Sequence, residues 1–226
     1  MVVVLDLFIT LIHQLTDIYL LDLIFHDEAL LVANKPAGLL AVPGRGTDKQ
    51  DCLSSRVQRE FPDALVVHRL DMATSGLMLF ARGTKMQRRF SHMFRERELQ
   101  KRYIAVVAGA LEFASGEVNL PIVADWTNRP LRKIDAESGK PSLTRYRLLA
   151  YDDIEHTSRV ELEPVTGRTH QLRVHMAAIG NPVLGDGLYG GMIDSNSERL
   201  LLHSSMLGFV HPVSGESLNF MSDPSF

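Results

Sequence analysis

The sequence predicts an α+β fold richer in strand than in helix, on three observations. Short apolar runs such as Leu77-Met78-Leu79-Phe80-Ala81 and Tyr103-Ile104-Ala105-Val106-Val107-Ala108 have the length of strands and are bounded by turn-forming residues. Helical periodicity is confined to a few separate stretches. No internal repeat or low-complexity linker divides the chain.

Taken in order, residues 19–25 and 29–33 read as strands joined at His26-Asp27-Glu28, and the Pro/Gly-punctuated stretch NKPAGLLAVPGRG that follows is a loop. Residues 50–60 are helical, with Leu53 and Val57 at i, i+4 and Pro62 beyond the end. Val66-Val67 leads into a loop and the strand at 77–81, and a helix from Thr84 to about Arg95 comes next. The run within 99–111 is expected to be a strand covered on both faces. Residues 124–141, ADWTNRPLRKIDAESGKP, have few aliphatic side chains and predict a long exposed loop or hairpin. Alternation over 142–150 and 158–163 predicts antiparallel strands, residues 170–179 a helix stopped by Gly180 and Pro182, and residues 200–210 and 217–221 two closing strands.

A length of 226 residues with 45% hydrophobic content suits a globular chain with a sizeable core. The single cysteine, Cys52, excludes an internal disulfide, fits a reducing cytoplasm and reads as a small helix residue. Residues 1–18 form an extension ahead of a main domain over 19–226. The extension has no Lys or Arg, unlike a signal peptide, and Asp6 and Asp17 make a membrane span costly. Asp6, Thr10, His13, Gln14 and Asp17 share one helical face, so a short amphipathic helix packed on the body or on a second copy is expected, with a disordered extension or an early start codon as alternatives.

The net charge of −3 hides an asymmetry. Residues 82–102 hold eight Lys or Arg against two Glu, and within them Met86, Phe90, Met93 and Phe94 fall on one helical face while Lys85, Arg88, Arg89 and Arg95 fall on another. Such a stripe is either a solvated face or a phosphate-binding one.

Asp71 stands in VVHRLDMATSGLMLFAR, at a loop entering a buried strand, where an acid needs a cation or hydrogen bonds; Arg69 is the nearest cation in sequence. From spacing alone it is a turn-capping Asp or a functional carboxylate. HRLDMATSGLMLFAR resembles the catalytic motif of the RluA-type pseudouridine synthases. NKPAGLLAVPG, KRYIAVVAG, PVTGRTHQLRVHMAAIGNPVLGD and RLLLHSSMLGFVHP fit the same family in the same order, from about residue 20 to the end.

The resemblance implies a pseudouridine synthase fold, a mixed, largely antiparallel sheet split into two halves around a central cleft, without room for a separate S4-type RNA-binding domain. It implies a cofactor-free isomerase in which Asp71 is catalytic, Tyr103 stacks on the target base and is a candidate to take the C5 proton, and Arg168 forms an ion pair with Asp71. Arg173 is the rival for that pairing. A fixed guanidinium keeps a carboxylate in a closed cleft ionised and oriented. Arg69 is expected to fill the place of the flipped uridine or else to make a structural ion pair, Leu202 to form an apolar floor beside the base or else simply to pack in the core, and His68 to give hydrogen-bonding support.

RNA contacts are expected from Arg69, His68, Leu202, Lys85, Arg88, Arg89, Arg95, Arg129, Arg132 and Lys133. The partner is structured RNA, and the DWTNRP insertion is most like the A subgroup, which acts on a tRNA anticodon-loop uridine and a 23S rRNA hairpin. A cytoplasmic monomer without membrane contact is expected. His170 and His175 are five apart, off the spacing of a metal-binding pair, and Gly44-Arg45-Gly46 lacks the context of a nucleotide-binding loop, so no metal is expected. An N-glycosidic hydrolase on RNA and a non-catalytic RNA-binding module are the rival readings.

Overall fold

The computed structural model describes residues 21–191 and 197–226; the expected helix over 1–18 lies outside them. The strands are β1 (Leu23–His26), β2 (Leu30–Lys35), β3 (Ala64–Val66), β4 (Ser75–Arg82), β5 (Gln100–Ala108), β6 (Ser115–Asn119), β7 (Ile122–Ala124), β8 (Arg132–Ile134), β9 (Leu143–Asp152), β10 (Thr157–Pro164), β11 (Leu202–Val210) and β12 (Ser217–Met221). The helices are α1 (Leu53–Glu60), α2 (Gly83–Glu96) and α3 (Gln171–Ala178). β7 and β8 form a small hairpin, and the other ten strands form one sheet in the order β1-β2-β4-β11-β5-β10-β9-β6, with β3 added to β4 and β12 to β11.

β4 is apolar on both faces because a helix covers each. Leu77, Leu79 and Ala81 pack under Phe90 and Met93 of α2, while Met78 and Phe80 pack with Leu53 and Val57 of α1. A third core joins β5, β10 and β11 to Leu172 and Met176 of α3. Each fully buried Leu or Phe contributes about 1.5–3 kcal/mol.

The sheet divides in the middle. β4 meets β11 in parallel only at Ser75 and Gly76, after which β12 takes over the same edge of β11 from Met206 to Val210. β3 likewise occupies the freed edge of β4 from Phe80 to Arg82. The chain can approach closely at the division because residue 76 is glycine: its φ is +110°, and a Cβ there would lie 2.3 Å from the Ser204 carbonyl oxygen. The connection from β3 to β4, residues 67–74, therefore folds back at the mouth of the fork.

Several expectations shift. Residues 47–49 form a 3₁₀ turn and α1 starts at Leu53, with Cys52 as a buried N-cap whose Sγ accepts the Ser55 amide at 3.4 Å, instead of a residue inside the helix. β5 is not covered on both faces along its length: its first half alternates, and only Ala105 and Val107 are fully buried. β6 was not expected, because it is an edge strand in which Val118 alone is buried and the apolar pattern is absent.

Candidate active site

Asp71 begins a turn closed by the Thr74 amide, which donates to the Asp71 carbonyl at 3.1 Å. The turn is held from one side by Lys35, whose completely buried ammonium donates to the carbonyl oxygens of Pro36 (2.8 Å), Leu39 (2.7 Å) and Met72 (2.9 Å). The Gly38 amide donates to the same Met72 oxygen at 2.9 Å. Burial pushes the Lys35 pKa down to about 8, opposed by the Asp71 charge. Three acceptors satisfy all three ammonium protons, which makes the burial tolerable.

The ion pair to Asp71 comes from Arg173, not Arg168. Arg173 Nη1 donates to Asp71 Oδ2 at 3.1 Å, while its Nε and Nη2 donate to Asp186 Oδ2 and Oδ1 at 2.8 and 2.6 Å. Burial works against the guanidinium charge, but Asp186 and Asp71 outweigh it and raise its pKa. Burial also opposes ionisation of Asp186, yet Arg173 and the Leu188 and Tyr189 amides hold its carboxyl below the usual range. The physical reason for the correction lies in the helix start. Arg168 precedes α3, is exposed, and donates its Nε to the Pro141 carbonyl at 3.4 Å; Arg173 lies in the first turn, which faces the core. That helix defeats periodicity reading because its polar residues are buried too: Gln171 donates to Leu143 and Thr144, and His175 bonds Thr144 and Leu120.

His170, directly before α3, has a left-handed backbone (φ 59°) and places Nε2 3.8 Å from Asp71 Oδ2. Its Nδ1 meets the Tyr189 hydroxyl at 2.7 Å. Burial, partly countered by the Asp71 charge, lowers its pKa.

Around Asp71 lies a cleft of about 580 Å³. Tyr103 lines it from β5, with Leu162 and Ser204 as its partners on the two neighbouring strands. Burial pushes the Tyr103 phenol up to about 12, against a smaller opposing effect of the Ser204 hydroxyl. Leu202 and Leu172, both nearly inaccessible, form part of the floor. Arg69 is exposed on the lining, and no ion pair of it is found among the described residues. His68 is committed internally: its Nε2 accepts the Leu79 amide at 2.9 Å, its ring stacks on Phe94 with centroids 4.6 Å apart, and burial followed by the Lys101 charge pushes its pKa down to about 3. It supports the wall as a neutral ring, and its Nε2 is spent before RNA arrives.

Among the described residues, six cations, Arg69, Arg95, Arg97, Lys101, Arg168 and Arg173, face one carboxylate, Asp71, along the lining. Of the four basic residues expected from α2, only Arg95 reaches it. Lys85, Arg88 and Arg89 are exposed outside the lining, and Arg89 lies 3.6 Å from Glu98. Arg97, the left-handed C-cap of α2, and half-buried Lys101 bring charge to the cleft that helical periodicity did not point to. Arg129, Arg132 and Lys133 stand on or beside the β7–β8 hairpin, also outside the lining. Arg129 stacks on exposed Trp126 at 3.9 Å, and Arg132 Nε is buried without a hydrogen-bond partner among the described residues. Lys35, Asp186 and Tyr189 went unnoticed in the sequence. A fully buried Lys resembles a surface Lys there, and the only hint of Asp186 was its place in the GDG turn after α3.

The family model described as RNA pseudouridylate synthase matches residues 29–178, which include Asp71, Tyr103 and Arg173. The dual-specificity RNA pseudouridine synthase RluA of Escherichia coli strain K12 is 45% identical over 207 residues, covering 91% of this chain and 94% of that protein. The protein of the same name from Pasteurella multocida is 48% identical over 213 residues, covering 93% and 96%. Among solved structures, human RNA pseudouridylate synthase domain containing 1 superposes with a TM-score of 0.76 at 28% identity, covering 92% of this chain and 85% of that one. A forked sheet, a cationic cleft with one accessible carboxylate and these matches lead to one conclusion: the chain belongs to the RNA pseudouridylate synthase family and is an enzyme that isomerises uridine in RNA to pseudouridine.

Proposed function

We propose that this enzyme modifies an anticodon-loop uridine of tRNA and a uridine in a similarly shaped 23S rRNA hairpin, with Asp71 as the catalytic carboxylate. The observation that carries the assignment of Asp71 is that, among the described residues, it is the one carboxylate on the wall of an otherwise cationic cleft. The substrate reading is supported by the dual specificity named for relatives that match nearly the whole chain.

The reaction breaks the bond from N1 to ribose C1′, joins C1′ to C5, and moves the C5 proton so that N1 ends protonated. Asp71 serves either as the nucleophile at C1′ or as the base that takes the 2′ proton. Arg173, fixed by Asp186, orients the Asp71 oxygens for either route. Tyr103 stacks on the detached base. With its pKa pushed up to about 12, the phenol rests protonated and would have to surrender its own proton before accepting one from C5, which favours stacking as its main role. Arg69, exposed at the cleft, takes the place vacated by the flipped uridine, and Leu202 supports the base from below. The surrounding cations hold the phosphates. The protein works as a cytoplasmic monomer.

The test is incubation with unmodified tRNA and rRNA hairpin transcripts. Pseudouridine should form in both, with RNA mass unchanged and no free uracil; released uracil would instead favour the hydrolase reading. Asp71→Asn should lower the rate on the order of 10³-fold or more while RNA binding persists. Unchanged modification by that variant would remove Asp71 from the mechanism and leave RNA binding as the remaining role of the cleft.

A further inference from the structure

Tyr189 touches both partners of Asp71 and a third element besides. Its hydroxyl lies 2.7 Å from His170 Nδ1 and accepts the Arg132 backbone amide, from the first residue of β8, at 2.9 Å. Its ring stands edge-on to His170 at 5.6 Å, and the Arg173 guanidinium carbon lies 5.1 Å from its centroid. One side chain thus joins the β7–β8 hairpin to the two groups that border the carboxylate.

A phenol has one proton to give. With the Arg132 amide already donating to its oxygen, the Tyr189 proton finds its acceptor in His170 Nδ1. The imidazole proton is then on Nε2, which faces Asp71 Oδ2 at 3.8 Å. The opposite arrangement would leave the phenol proton without a partner and turn the Nε2 lone pair toward the carboxylate, an unfavourable contact in a half-buried site. His170 also holds a left-handed backbone conformation that a non-glycine residue adopts only at an energetic cost. The charged groups facing the ring are Asp71, Arg173, Arg132 and Asp186.

We propose that Tyr189 is a positioning residue for catalysis: it fixes the His170 tautomer whose Nε2–H steadies Asp71, and so couples the β7–β8 hairpin to the carboxylate. The coupling rests on the reading that RNA lies across the cleft and the hairpin. Contact of RNA with Arg129 or Arg132 then bears on Asp71 through three side-chain contacts. Burial keeps His170 neutral in the resting enzyme, and this makes the choice of tautomer consequential.

Tyr189→Phe keeps the ring against Arg173 and removes only the hydroxyl. Single-turnover pseudouridine formation should fall about 10- to 100-fold while the RNA Kd changes less than about threefold, the pattern of a displaced catalytic group. The pH profile should change as well: burial disfavours a charged His170 ring, but with Nδ1 no longer accepting the phenol proton the ring protonates more readily than in the wild type, so the acidic side of the rate profile should move to higher pH. His170→Gln, which can keep an N–H near the Nε2 position, should retain more activity than His170→Ala at a matching thermal midpoint. Wild-type turnover of the transcripts tests the substrate reading, and the ratio of variant to wild type on total cellular RNA lacking pseudouridine tests the positioning role. A wild-type rate and pH profile in Tyr189→Phe would overturn it, as would a loss seen only in RNA affinity or thermal midpoint.

Discussion

The two buried cations that support Asp71 and its turn, and those on the outer face of α2, are the same residue types in opposite physical situations. Arg173 and Lys35 are almost wholly buried, and each has its donors fixed by named acceptors before any substrate arrives. Lys85 and Arg88 are exposed, and the ion pair from Arg89 to Glu98 is long and solvated. Such surface pairs contribute about 0–1 kcal/mol, whereas removing one partner of a buried pair costs about 3–5 kcal/mol. The buried set maintains geometry and the exposed set is available to phosphate. Charge density in the sequence pointed to the second group and was nearly silent about the first.

The sharpest way to break this comparison is to exchange the two arginines of the TGRTHQLR stretch for lysine one at a time. Arg173→Lys cannot keep the two-pronged bond to Asp186 while reaching Asp71, so kcat should fall on the order of 10²-fold with KM little changed. Arg168→Lys should keep kcat and raise KM by less than about tenfold. Steady-state kinetics on the tRNA transcript separate the two, and equal losses in both variants would erase the distinction between orienting and contacting charge.

Stability gives the next largest effect. Lys35→Met leaves the Pro36, Leu39 and Met72 carbonyls without their shared donor, and urea unfolding should show a loss of about 3 kcal/mol. A loss below about 1 kcal/mol would mean that the ammonium is not what ties the Asp71 turn to the 36–39 loop.

The smallest effect is expected on α2. Arg88→Ala combined with Arg89→Ala should weaken RNA binding a few-fold and flatten the dependence of log Kd on log salt by about 0.7–0.9 for each phosphate that is no longer neutralised. Arg95→Ala, at the cleft, should do the same and additionally lower turnover. An unchanged slope in the double variant would confine phosphate binding to the cleft.

The same contrast explains how much could be read beforehand. β4 was legible as an unbroken apolar run of strand length, and α2 and β12 because their apolar residues repeat at the period of the element. α3 was located by its Gly-Pro stop, but its buried polar side chains carry no period, so nothing in the spacing separated Arg168 from Arg173. Asp71 stood out as an acid beside an apolar strand. Its supports at 35 and in the 173–189 segment are distant from it in the chain, and the forked sheet brings them together.

That fork also orders events during synthesis. β11, which begins at Leu202, is the strand that joins β4 to β5 and thereby the half carrying Asp71 to the half carrying Arg173. A nascent chain that ends before it holds the two residues on pieces with no strand between them, although 102 positions of sequence already link them. The site is therefore complete only once β11 has paired with both β4 and β5, so a single strand governs whether Asp71 and Arg173 meet.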